Sequence, residues 1–77
     1  MIQVSFYSRK DCHLCDQVRS DLQSLQLEIP HELKEIDIDS NPKLHKKYNL
    51  EIPVIVVGPY KLKAPISRLD LEITLKA

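Results

Sequence analysis

Cys12 and Cys15 are the only two cysteines of the chain, and they fall in the run Cys12-His13-Leu14-Cys15. The run sits where an alternating apolar segment hands over to a helical pattern, which places the pair at a helix N-terminus. Disulfide exchange uses the thiolate, and the free amides and dipole of a helix N-terminus favour negative charge on a first-turn sulfur. Cys12 is therefore the candidate nucleophile. Cys15, one turn further on, is close enough to attack a mixed disulfide on Cys12 and release the partner, which makes it the candidate resolver.

A Cys-x-x-Cys pair has duller uses. As a structural staple it would close a four-residue loop, worth about 1.9 kcal/mol in the chain-entropy model against roughly 3 for fifteen residues. As a metal site it supplies half of a tetrahedral shell, with His13, His31 and His45 as the remaining donors, but no second Cys-x-x-Cys or His-x-x-x-His completes it. Redox chemistry is the expectation. A metal or iron-sulfur site shared between two chains, an inert pair and a redox-inactive binding module remain the alternatives.

The neighbours bear on the same sulfur. Arg9, Lys10 and His13 are three potential cations around Cys12, so its thiol should titrate below the ordinary value, with Asp11 opposing the shift. His13 can also return a proton to a departing thiol, its alternative being an exposed polar filler. Asp37-x-Asp39-x-Asn41 resembles the opening of a calcium loop only superficially, because Pro42 stands where Gly is required and Tyr48 where a bidentate Glu belongs. His31 and His45 are expected to face solvent, and Tyr7, Tyr48 and Tyr60 to be core or core-edge rings.

The elements that must position these residues follow from hydrophobic period. Ile2, Val4 and Phe6 alternate with polar residues in a first strand ending near Tyr7. From Cys12, the positions Leu14, Cys15, Val18, Leu22 and Leu25 form a helical stripe, with Asp11 as its cap. Leu33 to Asp39 alternates as a second strand, expected at an edge. Ser40-Asn41-Pro42 starts a short helix through Leu44 and Tyr48. Val54 to Val57 reads as a buried strand, turned by Gly58-Pro59 into a hairpin with Tyr60 to Ala64. In the last segment Ser67-x-x-Asp70 resembles a capping box and predicts a helix, with Ile66, Leu69 and Ile73 sharing a face.

Size and charge bound the rest. Seventy-seven residues with 43% hydrophobic and 29% charged content make one domain, residues 1–77, able to fold on an apolar core. Eleven basic and eleven acidic side chains cancel, which excludes a broad basic footprint for nucleic acid or anionic membrane. No run approaches the length of a membrane helix and no secretory signal precedes the first strand, so the expectation is a cytoplasmic monomer whose disulfide cycles.

The order strand, helix, strand, helix, strand, strand, helix, with Cys-x-x-Cys opening the first helix and Ile52-Pro53 opening the third strand, resembles the thioredoxin fold and, within it, the small glutaredoxin-like proteins. Tyr7, Arg9 and Cys12 to Cys15 look like the glutaredoxin pattern, and Asp37 through Pro53 looks like the thioredoxin-family run ending at the active-site proline. The resemblance implies an α/β fold of thioredoxin-like, glutaredoxin-type β-α-β-α-β-β-α order, with a four-stranded mixed sheet and helices on both faces. It implies a thiol-disulfide oxidoreductase in which Cys12 attacks and Cys15 resolves. Tyr7, Arg9, His13, Ile52 and Pro53 would then contact substrate. By the same resemblance the Ile52-Pro53 bond is cis and faces Cys12, leaving the Ile52 backbone free for an extended substrate. Arg9 takes the position that holds a glutathione carboxylate, with Lys46 or Lys47 as a second cation; read alone, those lysines simply solvate a helix. The chain departs from thioredoxins at Phe6 and Asp11, where they carry Asp and Trp. It departs from glutaredoxins at His13, where they carry Pro, and at Ala64-Pro65-Ile66-Ser67-Arg68, where they carry Gly-Gly and then Asp. No bound cofactor or metal is expected. The partner is a disulfide-containing protein or glutathione, and the reductant is glutathione or a thioredoxin-type reductase.

Overall fold

The computed structural model describes all residues, Met1–Ala77. Strand β1 (Ile2–Ser8) leads through a short loop, Arg9 to Cys12, into helix α1 (His13–Leu25). Strand β2 (His31–Asp37), a 3-10 turn over Ile38–Ser40, and helix α2 (Pro42–Tyr48) follow. Strands β3 (Val54–Val57) and β4 (Tyr60–Lys63) form a hairpin, and helix α3 (Arg68–Lys76) ends the chain. The sheet runs β2-β1-β3-β4, with β1 parallel to β2 and antiparallel to β3, so the mixed sheet and β-α-β-α-β-β-α order match expectation.

Side-chain alternation along the strands gives the sheet two apolar faces. Val4 and Phe6 of β1 with Ile55 and Val57 of β3 pack under α1 and α3, against Val18, Leu22, Leu25, Leu71 and Leu75. Tyr7 and Val54 point the other way and pack with Ile38, Leu44 and Tyr48. Helices thus lie on both faces, but seven-residue α2 spans only about 10 Å, less than half the length of β1.

Several local expectations change. The second strand starts at His31, and its predicted last residues, Ile38 and Asp39, instead form the 3-10 turn that tucks Ile38 beneath α2. His31 is buried rather than solvent-facing, because it stands beside Ile2 on the α1 side of the sheet; its Nδ1 lies 2.8 Å from the Ile29 carbonyl. Leu14 belongs to the helical stripe by spacing alone and is 53% exposed, since the face that packs on the core is centred on Cys15, Val18, Leu22 and Leu25. Tyr60 is exposed, on the outermost strand.

Helix α3 is capped as predicted: the Asp70 N–H donates to Ser67 Oγ and the Ser67 N–H donates to the Asp70 carboxylate, which holds that carboxyl below its usual range. Its buried face, however, is Leu71, Thr74 and Leu75, while Leu69 and Ile73 are exposed. Two apolar stripes share this helix, and contact with α1 selects one of them.

Candidate active site

Cys12 is itself the N-cap of α1. Its backbone is extended, and its Sγ accepts the Cys15 N–H at 3.1 Å. This replaces Asp11 as the cap. Asp11 instead takes φ +56°, the left-handed conformation that Asp tolerates better than most residues, and so turns the chain into the helix. Cys12 and Cys15 are disulfide-bonded, with Cα atoms 5.1 Å apart. The two sulfurs are unequal: Cys12 is partly exposed, whereas Cys15 is fully buried in the core beneath α1. A reagent from solvent meets Cys12 first, and Cys15 is reached through Cys12. Once the bond opens, the Cys15 amide that donates to Cys12 is placed to donate to a thiolate, a stronger bond than to a neutral thiol.

Register brings the proline segment to the same end of the sheet. Tyr7 pairs with Val54, so Pro53 lies alongside the end of β1 that leads to Cys12. The Ile52–Pro53 bond is cis, as is Ala64–Pro65, which nothing in the sequence singled out. Pro53 is buried, and partly buried Ile52 touches both apolar clusters. One expectation is corrected here: the Ile52 N–H is not free, because it donates to the Tyr48 carbonyl at 3.1 Å in the turn that follows α2. The Ile52 carbonyl makes no hydrogen bond within the chain and is the open backbone group.

Arg9 also has partners inside the molecule. Nη1 donates to Asn49 Oδ1 at 2.8 Å and Nη2 to Asp39 Oδ1 at 3.2 Å, tying the loop before Cys12 to the turn before Ile52. Of the three cations placed around Cys12, this one is already paired; Lys10 and His13 are exposed. The Tyr7 ring packs on Tyr48, with centroids 4.7 Å apart.

Beneath the motif loop lies a polar network that no sequence pattern indicated. Arg19 donates to both oxygens of Glu35, at 2.9 and 2.5 Å, and to Asp16 at 2.7 Å, while buried Ser8 donates to Glu35 at 2.7 Å. The Arg19 hydrogen bonds, with help from Ser8, hold the Glu35 carboxyl below its usual value against the opposing effect of burial. The same bonds raise the Arg19 guanidinium further, which stays charged throughout. Asp16 and Arg19 share a helix face by spacing, but Glu35 joins them only because Phe6 and Glu35 are register partners across β1 and β2. A depression of about 120 Å³ between this network and Arg9 opens next to the motif loop. A larger one, about 550 Å³, lies at the opposite end of the sheet between Met1 and the end of α3, remote from the cysteines. No three His, Cys, Asp or Glu side chains converge as metal ligands, and no helix is long and apolar enough to cross a membrane.

Comparison with known proteins agrees with this architecture. The family described as glutaredoxin-like domain (DUF836) matches residues 3–76. Target protein XcR50 from X. campestris superposes with a TM-score of 0.82 at 28% identity, covering 95% of each chain. Protein Ne2328 from Nitrosomonas europaea gives 0.76 at 28% identity, over 94% of this chain and 88% of its own. The oxidized form of mitochondrial thioredoxin 3 from Saccharomyces cerevisiae gives 0.76 at 22% identity, over 97% and 76%, a likeness of fold. No curated protein matches the chain by sequence.

Proposed function

We propose that this chain, which belongs to the glutaredoxin-like domain family, is a thiol-disulfide oxidoreductase working by dithiol exchange through Cys12 and Cys15. The observation that carries the reading is the asymmetry of the pair: a partly exposed outer cysteine whose sulfur caps a helix, bonded to an inner one that is fully buried.

In the reducing direction the Cys12 thiolate attacks one sulfur of a partner disulfide. The Cys12–partner bond forms, the partner bond breaks, and the first partner thiolate leaves to take up a proton. Cys15 then gives up its proton and attacks Cys12 Sγ, forming the Cys12–Cys15 bond and expelling the second partner thiolate. The partner gains two electrons and two protons; the pair loses them and ends in the disulfide state described here. A two-electron donor, glutathione or a thioredoxin-type reductase, returns the pair to the dithiol. The Ile52 carbonyl can accept one hydrogen bond from an extended substrate backbone beside Pro53, and Tyr7 and His13 border the same end of the sheet. Arg9 contributes by holding the two loops together, and it takes a glutathione carboxylate only by giving up Asn49 or Asp39. A cytoplasmic monomer acting on a disulfide-containing protein or on glutathione completes the reading.

Equilibration in glutathione redox buffers, followed by mass spectrometry of Cys12→Ser and Cys15→Ser, tests it. A stable mixed disulfide on Cys15→Ser and none on Cys12→Ser is the expected result. The reverse pattern, or no adduct on either variant with glutathione or a peptide disulfide, refutes it.

A further inference from the structure

We infer that the face of the molecule carrying α2 and β4 docks an acidic protein partner and delivers that partner's disulfide to Cys12; the inference rests on the dithiol-exchange reading and names its substrate class.

The chain has no net charge, yet its charges are sorted by face. On the α1 and α3 side every cation is matched and acids are in excess: Arg19 pairs with Asp16 and Glu35, and Arg68 and Lys76 pair with Glu72, while Asp21, Glu28 and Asp70 have no cation partner. Helix α2 carries Lys43, Lys46 and Lys47 and no acid. Strand register sets Lys34 opposite Ser5, and Lys61 opposite Val56, on the same sheet face. All five lysines are exposed and none has an ion-pair partner. Of the nearby acids, Asp39 pairs with Arg9 and Glu51 with Lys63; Asp11 beside Cys12, Asp37 at the end of β2 and Glu32 near its start carry no ion pair.

The lysines also converge. The Lys47 and Lys61 ammonium groups, one from α2 and one from β4, stand 5.2 and 4.8 Å from the centre of the same Tyr48 ring. The ring attracts each cation, but the two repel one another, and a carboxylate from outside would relieve that repulsion. Tyr48 packs on Tyr7, whose strand leads to Cys12, and α2 runs directly into the Ile52–Pro53 turn. Partner carboxylates bound here would lie beside the reactive sulfur.

Two exposed apolar residues indicate protein rather than nucleic acid or lipid headgroups. Leu14, two residues after Cys12 in the first turn of α1, is 53% exposed, and Leu50, in the turn before Ile52, is 96% exposed. A disulfide-bearing peptide can cover both while its flanking carboxylates reach the lysines. Such complementarity acts mainly on encounter rate and is screened by salt.

Three disulfide-linked peptides of equal length, flanked by Asp and Glu, by Lys, or by Ser, test the inference with the pre-reduced protein in single turnover. Each second-order rate is divided by that of dithiothreitol with the same peptide, which removes differences in intrinsic disulfide reactivity. The acidic peptide should react roughly ten-fold faster than the lysine peptide at low salt, the two converging as salt approaches about 0.5 M. Lys43→Glu with Lys61→Glu should remove most of the preference, the corresponding Gln substitutions should reduce it less because Lys34, Lys46 and Lys47 remain, and the Ser-flanked rate should hold throughout. Equal rates for all three peptides, or an acidic preference unmoved by the substitutions, would overturn the docking surface and leave dithiol exchange standing. Tight binding to phosphatidylserine vesicles or duplex DNA without a peptide preference would overturn it in favour of another polyanion. Transfer to none of the peptides would overturn dithiol exchange itself, and the docking surface with it.

Discussion

Replacing Glu35 by Gln removes one charge and almost no volume from the network under the motif loop, so its effect can be worked from the contacts. The Arg19 and Glu35 side chains are 39% and 35% exposed, and their bidentate pair is therefore screened by solvent to about 0.5–1 kcal/mol. Ser8 is buried and donates to a charged acceptor; Gln still accepts, but as a neutral group, at a loss of about 0.5–1 kcal/mol. Together the substitution should cost about 1.5 kcal/mol at pH 7, which for a domain of this size lowers Tm by roughly 6–12 °C. Its pH dependence has a definite sign. The Glu35 carboxyl is lowered from 4.5 in the folded protein, chiefly by the Arg19 hydrogen bonds. Its stabilisation is therefore complete above 4.5 and is lost as pH falls through the depressed folded value. Glu35→Gln has no such titration. Urea unfolding of the oxidised proteins at pH 7, 5 and 3 should show the gap between them nearly constant from 7 to 5 and closing in acid. A gap that is unchanged or wider at pH 3 refutes the reasoning.

Other outcomes follow from single contacts. Asp11→Asn keeps a residue that accepts the left-handed backbone and removes the charge beside Cys12, so ultraviolet titration of the reduced protein should show thiolate forming at lower pH than in the wild type. Asp11→Val, β-branched at φ +56°, should lower the urea midpoint through a loss of about 1–2 kcal/mol. Under reducing conditions Cys12→Ser should retain the helix cap, whereas Cys12→Ala should lose about 1 kcal/mol relative to it, measured by denaturant unfolding. On α3, Leu71→Ala should cost about 2–5 kcal/mol, and Leu69→Ala should stay within about 0.5 kcal/mol, by the same measurement.

Which parts of the site could be read in one dimension depends on the range of the forces that build them. The Cys12-to-Cys15 spacing, the Asn41-Pro42 helix start and the Ser67 capping box are contacts within one turn, so residue type and separation suffice to specify them. Strand alternation likewise specified the apolar side of β1 that packs under α1 and α3, through Val4 and Phe6. Local rules failed where two local answers were equally good. Leu69 and Ile73 compete with Leu71 and Leu75 for the buried side of α3, and only contact with α1 chooses between them. Ile38 alternates like a strand residue, yet α2 gives it a burial site that needs the chain to turn.

The thiol pair and its place at the start of a helix were determined by the sequence alone, because a one-turn spacing and a change of hydrophobic period are both written locally. Tertiary structure decided who stands around that pair. Arg9 finds Asn49 and Asp39 across forty and thirty positions, Glu35 reaches Arg19 only through strand register, and Lys61 of β4 meets Lys47 over the Tyr48 ring of α2. Electrostatic partners act over a few ångströms of space whatever their separation along the chain, so they are fixed only when packing brings the elements together.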